Sequence, residues 1–398
     1  MQRLKIPGLL FATSSVPLEF DTDGHNTTLR AADPPHGLEN ILALTSLHAE
    51  IFRLREYPAI RLADQIESPS LRFPEVYDGT QSLRGRNALF LTLCGWGDMI
   101  MIQPALAALC RKDNGAGEPA KITIGCNWIR NFPYRDARFI RDVRPNIMNL
   151  AELFRFDLLI NMIPAHYLRS RDRSMLDLYL QLLGLDRQAA LQYPPRLRPD
   201  PARVERLRPL FNGIRSETDR KILVVNWRSR FTHKNAPAAL FFEIASLLRN
   251  EFASVLVKDE AEAKIMQGEI DGAGADILNL SHRIRDLHDT IAALSLADAL
   301  ISVDTGIVHA AGALGIPGVA LFGPFPPETH VSIYPSIRGV RAGYEGRACR
   351  GPCLETHRGC AENDFSQSAA SPCFGRIRAD EVIGALFEAR GGGLSCAS

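Results

Sequence analysis

ALISVDTGIVHAAGALGIPGVALFGPFPPE, residues 299–328, decides how the rest of the chain is read. An apolar run, Ala299 to Val303, meets a sharp Asp304-Thr305-Gly306 turn; a small-residue helix follows from Ile307 to Leu314, then a second apolar run from Gly318 to Phe322. A buried strand that turns directly into a helix and returns as a buried strand is a crossover unit of a parallel sheet. Free backbone N–H groups and the positive end of the helix dipole stand at the start of that helix, and together they favour phosphate. Gly306 allows close backbone approach, and the run Ala310 to Ala313 lets the helix lie tight on the sheet. The plainer reading of the same turn makes Asp304 an ordinary helix cap.

Working outward, 398 residues are enough for two domains. A hydrophobic content of 46% with 23% charged residues suits a globular chain with large cores. The net charge of +1 gives no global field for nucleic acid. Basic residues do cluster at Arg196 to Arg208 and Arg228 to Lys234, where they suit either anionic substrates or a solvated surface. No apolar run is long enough to span a bilayer. Pro7 and Pro17 break the apolar N-terminus, so a signal peptide is not expected and the cytoplasm is the expected location. Eight cysteines in a reducing compartment are not a disulfide framework.

Residues 1 to about 85 show a hairpin at Leu18 to Arg30 turning on Asp23-Gly24, and an amphipathic helix over Leu38 to Leu54. A loop-rich approach follows. The strand Asn87 to Cys94 then runs through Gly95-Trp96-Gly97-Asp98 into a helix, Met99 to Lys112, which is the opening unit of a doubly wound domain. The spacing is not a dinucleotide fingerprint. Asp98 falls at the carboxyl end of a strand, where ligands of such sheets bind; capping the helix is its alternative role. Strands at Lys121 to Gly125 and Phe156 to Met162 and a helix at Met175 to Leu183 complete this half. The Pro- and Arg-rich stretch Tyr193 to Pro209 reads as a linker. A second αβ series runs from Lys221 to the Asp-Thr-Gly unit, and a helix over Arg378 to Arg390 closes the chain. Two such halves imply a ligand cleft between domains.

Four places, in order, resemble glycosyltransferase family 9, the bacterial heptosyltransferases. GWGDMIMIQPALAAL (95–109) is similar to the family's first loop and helix, and FTHKNAP (231–237) to its Lys-x-x-Pro phosphate loop. SVDTGIVHAAGALGIPGVALFGPFPP (302–327) resembles its Asp-Thr-Gly-x-x-His signature. CRGPCLETHRGC with PCFGRIRADEVIGAL resembles its cysteine-containing C-terminal segment. The resemblance covers roughly residues 86 to 390. Where the family has Trp two positions after the loop lysine, this chain has Ala236. The long N-terminal extension and the cysteines are more similar to the autotransporter heptosyltransferases, which glycosylate protein serines.

The resemblance implies a GT-B fold of class α/β: two Rossmann-like domains facing a central cleft, with an N-terminal extension. The expected division is an extension over 1–85, an acceptor-side domain over 86–200, a donor-binding domain over 201–345, and a cysteine-containing segment with its helix over 346–398. It implies inverting transfer from a nucleotide-diphospho-sugar, most simply ADP-heptose, to a glycan, lipopolysaccharide or protein hydroxyl. Such transfer needs a base for the acceptor and positive charge for the leaving diphosphate. Asp98 takes the first role and Lys234 the second. Gly97, Arg230, Thr232, Glu262, Asp304, Thr305, Gly306 and His309 are the expected donor contacts, with Glu262 on the ribose. No Asp-x-Asp pair stands where Mg²⁺ would bind the diphosphate, so transfer is expected to need no metal. Cys349, Cys353, Cys360 and Cys373 are a candidate structural site for zinc or iron, with His357 as a substitute ligand. The expected partners are a nucleotide-sugar donor and its acceptor and no nucleic acid, with room for peripheral association at the inner membrane. A nucleotide-sugar epimerase and a non-catalytic sugar-nucleotide binder are the competing readings, the latter favoured by Ala236.

Overall fold

The computed structural model describes residues 74–391 apart from 114–116, 128–131, 147, 169–172, 259, 356–358 and 364–369, together with the short strands Gln2–Leu4, Leu9–Ser14, Leu18–Thr22, His25–Leu29, Leu42–Thr45, Ile60–Ala63 and Ile66–Ser68. The chain divides into two units. The first comprises Met1–Trp96, Pro104–Leu168 and Leu176–Tyr193; the second comprises Gly97–Gln103, Arg169–Met175 and Pro194–Ser398.

The first unit is built on five strands: β1 (Glu75–Val76), β2 (Ala88–Leu91), β3 (Ile122–Cys126), β4 (Ile140–Pro145) and β5 (Leu158–Asn161). They lie in the order β4-β3-β2-β5-β1, and every pairing is parallel. All four residues of β2 and all five of β3 are buried, which is why their sequences run apolar without alternation. The expected helix from Met99 to Lys112 is two helices, α1 (Trp96–Met101) and α2 (Gln103–Arg111). Pro104 has no N–H to continue the ladder, so the helix restarts with the proline in its first turn. The helix α3 (Met175–Leu183) starts and ends where its periodicity predicts.

Ahead of this sheet, Leu18–Thr22 pairs antiparallel with His25–Leu29, and the Thr22–His25 pairing leaves a two-residue connection, as the Asp-Gly signal predicts. The helix expected over Leu38 to Leu54 is not what forms at its centre. Leu42–Thr45 is a strand, paired with Leu9–Ala12 on one side and Met148–Asn149 on the other; the rest of that stretch lies outside the described residues. Leu42 fits a helical period with Leu38 and Ile41 and a period of two with Leu44, and two partner strands settle the choice.

The second unit carries a six-stranded sheet: β6 (Lys221–Asn226), β7 (Phe252–Leu256), β8 (Ile277–Asn279), β9 (Ala299–Val303), β10 (Gly318–Leu321) and β11 (Ile337–Val340). The order is β8-β7-β6-β9-β10-β11, parallel throughout. Its flanking helices are α4 (Pro201–Thr218), α5 (Ala238–Leu248), α6 (Glu260–Ala273), α7 (Leu287–Leu294), α8 (Gly306–Leu314), the short α9 (Glu328–Val331) and the terminal α10 (Ala379–Gly391). Trp227, Phe241, Phe252 and Phe374 are fully buried among the aliphatic residues of β6, β9 and α10. Each such side chain stabilises the fold by about 2–3 kcal/mol.

The stretch read as a linker is largely α4. Asp200 caps it through the Ala202 amide, Pro201 occupies its first turn, and Pro209 falls on an exposed face. Its arginines are held by acids at the start of α7: Arg203 reaches Asp286 at 2.6 Å and Asp289 at 2.7 Å, and Arg206 reaches Asp289 at 2.6 Å. Residues that look like solvated punctuation in sequence are here the polar half of a helix–helix contact.

Candidate functional site

The site grows from the end of β9. Val303 completes the strand, and the Asp304 amide still bonds to the Leu321 carbonyl of β10 at 2.9 Å, so Asp304 is fixed by the ladder itself. Its carboxylate is buried and accepts a hydrogen bond from Lys234 Nζ at 2.6 Å. Lys234 comes from the loop between β6 and α5, 70 residues away in sequence, and its ammonium lies 4.8 Å from the centre of the Phe325 ring. Burial alone would push Asp304 up. The charge of Lys234, aided by His330 and by the hydrogen bond itself, overrides that and holds the carboxyl well below the usual range. The pair is therefore ionised.

Asp304 is not the helix cap. Thr305 occupies the N-cap position of α8 and makes no capping bond; its hydroxyl instead accepts from Asn226 Nδ2 at 3.4 Å. The first turn of α8 thus presents backbone amides beside the Lys234 ammonium, a pairing of dipole and charge suited to an anion. Asp98 is not a cap either, since α1 begins at Trp96 and Asp98 sits within the first turn.

Gly97 explains how the first motif reaches the third. A methyl group built on it would sit 2.7 Å from the Gly306 Cα and 2.9 Å from His309 Cδ2, so only glycine permits this approach. The segment Gly97–Gln103 accordingly groups with the second unit. The half-buried Asp98 acts electrostatically on His309, His330 and Tyr334. His309 is buried with its ring 5.7 Å from that of Tyr334, and burial keeps it below its ordinary value despite the pull of Asp304 and Asp98.

Gly97, Asp98, Lys234, Asp304, Thr305, Gly306 and His309 are thus neighbours. Arg230 and Thr232 are exposed on the Lys234 loop. Glu262, from α6, is ion-paired with Arg228 at 2.9 Å, and Arg228 also reaches Glu269 at 3.3 Å. Arg228 is therefore committed to α6.

Two residues that sequence reasoning missed complete the charge cluster. His330, on α9, has its ring 5.7 Å from that of Phe322 and 5.0 Å from that of Phe325 and bonds Thr329 Oγ1 at 2.8 Å; burial drives it down to about 4, against the opposing pull of Asp304. Tyr334 is buried against His309, and burial raises its phenol far above the ordinary value. The Phe-Gly-Pro-Phe-Pro-Pro run ahead of them was the available signal, but a four-residue helix has no periodicity to read.

Cys349, Cys353, Cys360 and Cys373 line one cavity of about 350 Å³, together with His233, Tyr344 and Glu355. Burial, reinforced by the neighbouring sulfurs, pushes Cys349 up to about 11 and Cys373 up to about 12, so both are thiols. A set of four soft sulfur donors fits a thiophilic cation in kind. Among the described residues no group of three or more His, Cys, Asp or Glu side chains stands at metal-holding distances. His357 lies outside the described residues.

Residues 171–357 match the sequence model of glycosyltransferase family 9 (heptosyltransferase). Curated protein sequences give no match. Among solved structures, the family 9 glycosyl transferase of Veillonella parvula DSM 2008 superposes with a TM-score of 0.58 at 16% identity, over 78% of this chain and 98% of that one. The E. coli ADP-heptose lps heptosyltransferase II gives 0.54 at 16% identity, over 76% and 98%. The iron-containing dodecameric glycosyltransferase TibC from enterotoxigenic E. coli gives 0.51 at 14% identity, over 98% and 93%. Residues 171–357 are thus similar to the family 9 glycosyltransferases (heptosyltransferases), and the two parallel sheets share the GT-B fold of the solved structures.

Proposed function

We propose that the enzyme transfers a sugar from a nucleotide-diphospho-sugar to a hydroxyl acceptor with inversion, and that the donor is ADP-heptose. The observation that carries this reading is the Lys234–Asp304 pair at the uncapped start of α8. Lys234 has three N–H donors and gives one to Asp304, so the others are available to the leaving diphosphate. The α8 amides at Thr305 and Gly306 supply the remaining stabilisation as negative charge grows on the departing oxygen. Asp98 takes the proton of the acceptor hydroxyl as that oxygen attacks the anomeric carbon from the face opposite the diphosphate. His309 packs behind the turn, Arg230 and Thr232 border the phosphates, and Glu262 accepts from the ribose diol. Lys234 and the helix supply the charge that a metal would otherwise bring to the diphosphate.

For the acceptor we favour a protein hydroxyl over lipopolysaccharide or another glycan. The TibC superposition extends over 98% of this chain, against 76–78% for the two others, and so takes in the N-terminal strands. The division at residues 85, 200 and 345 would then mark extension, acceptor side, donor side and cysteine segment. The TibC structure is described as iron-containing and, in a second form, as a complex with ADP-D-beta-D-heptose. By analogy the four cysteines would close on iron or zinc to fix the C-terminal segment, taking no part in transfer. Elemental analysis of the purified chain reads this directly, and a stoichiometry near zero would dismiss it.

Thermal unfolding against ADP, GDP, UDP and CDP tests the donor. A ligand at about a hundred times its dissociation constant adds roughly 2.7 kcal/mol. We expect a shift with ADP alone, lost in Lys234→Ala. A shift with UDP or GDP instead would keep the reaction class and reject the heptose donor. With ADP-heptose, Asp98→Asn should keep donor affinity while turnover falls by about 10²-fold or more. Donor consumed at full rate without an acceptor would point to an epimerase.

A further inference from the structure

The loop that carries Lys234 is closed by bonds of its own. Asn235 Oδ1 accepts from the Ser229 amide at 2.7 Å, and the Ala236 amide bonds the Trp227 carbonyl at 3.0 Å. These fix the two ends. They leave the carbonyls of His233 and Asn235, on either side of Lys234, to be satisfied from elsewhere. Both are taken by one residue from the C-terminal segment: Ser371 Oγ donates to the His233 carbonyl at 2.8 Å, and the Ser371 amide donates to the Asn235 carbonyl at 3.0 Å.

Ser371 is itself firmly held. It is 2% exposed, and its carbonyl accepts from the Phe374 amide at 3.1 Å. Phe374 is fully buried in the core of the second unit. Gly323 lets this segment close down: a methyl group there would lie 2.5 Å from Phe374 Cε2 and 2.6 Å from Cys373 Sγ. The chain from Ser371 to Phe374 is thus a short rigid arm, anchored in the core at one end and bracketing the backbone of Lys234 at the other.

We propose that Ser371 is a positioning residue that holds the Lys234 backbone so that its ammonium meets the donor diphosphate. A lysine has a long flexible stem, and its charge is useful only where the stem starts from a fixed point. Asp304 fixes the head of Lys234 and Ser371 fixes its base. The inference rests on the reading that Lys234 contacts the diphosphate.

The test is calorimetric titration of the full chain with ADP. Removing the hydroxyl takes away the Ser371 bond to the His233 carbonyl and loosens one side of the lysine, so Ser371→Ala should weaken ADP by about tenfold. Ser371→Thr keeps the hydroxyl and should stay within about threefold of the parent. In a Lys234→Met background, Ser371→Ala should cost nothing further, because the group it positions is gone. A merely structural serine would lower the unfolding midpoint and weaken ADP by the same factor in both backgrounds, and that result would overturn the proposal. So would an unchanged affinity in Ser371→Ala while Lys234→Met loses binding. If Lys234→Met binds ADP as the parent does, the lysine reading falls first and Ser371 with it. Should Ser371→Ala fail to fold, Ser371→Thr against Ser371→Val compares hydroxyl with methyl at similar volume. Equal affinities in that pair would also reject the proposal.

Discussion

The carboxyl edges of the two parallel sheets share a topology and differ in chemistry. Past β2, Thr92 Oγ1 and Cys94 Sγ each lie 2.8 Å from the buried Tyr179 hydroxyl of α3, a neutral cluster; Asp98, farther along the same connection, groups with the second unit. Past β4, Asn146 is 1% exposed and likewise uncharged. Past β9 stands a buried ion pair, Asp304 with Lys234, and beside it two neutral imidazoles. A parallel sheet places strand ends together in both units. It does not say which edge does the chemistry. The ion pair does, because burying two charges costs several kcal/mol in desolvation that their attraction only partly offsets. A pair of that kind is poor evidence for stability and good evidence for a task.

The largest expected effect breaks the charged edge. Asp304→Ala leaves the Lys234 ammonium 14% exposed and without its carboxylate. Removing one partner of such a pair typically destabilises by about 3–5 kcal/mol. Urea unfolding at neutral pH should show a loss of that order, and Lys234→Met added to Asp304→Ala should restore part of it. A loss under about 1 kcal/mol would mean that water already screens the pair.

The second effect is smaller and depends on pH. His330 has a folded value of about 4 against an ordinary 6.5. Between those values the unfolded chain binds a proton that the folded chain refuses, so stability falls as pH falls. The shift corresponds to about 3 kcal/mol between pH 7 and pH 4. Asp304 works in a lower window: its folded value is depressed, so its contribution is complete above the ordinary carboxylate value and fades only below it. His330→Gln should therefore flatten unfolding free energy between pH 6.5 and pH 4.5 while leaving the acid limb in place. An unchanged slope would show that His330 takes up its proton in the folded chain.

Much of this edge could be read from the chain. Asp98, Lys234 and Asp304 each sit in a local pattern, a strand end followed by a turn, and local pattern is what sequence displays. His330, Tyr334 and Ser371 could not be read that way. Each acts through a neighbour that is distant in sequence: His330 through Asp304, Tyr334 through His309, Ser371 through a loop 138 residues earlier. The same limit explains α4. Its prolines and arginines look like a linker until Asp286 and Asp289 are placed beside them. It also explains Leu42–Thr45, where the partner strands decide between two periods that the residues satisfy equally. Buried parallel strands were legible because burial on both faces leaves a continuous apolar run, which needs no partner to recognise.

The smallest effect tests the neutral edge. Tyr179→Phe removes the hydroxyl that bridges Thr92 and Cys94 without opening a cavity. Thr92 Oγ1 keeps one bond, from the Cys94 amide at 3.1 Å, so its oxygen is not stranded. The cost should be about 1–2 kcal/mol in urea unfolding, in line with a buried neutral hydrogen bond. ADP affinity should stay within about twofold, because every group assigned to the diphosphate belongs to the second unit. If Tyr179→Phe weakened ADP as strongly as Lys234→Met, the neutral edge would have to be part of the donor site. Charge would then no longer separate the two edges. A stability loss without an affinity loss would instead show that one topology supports a sealed edge and a working one, told apart by their side chains.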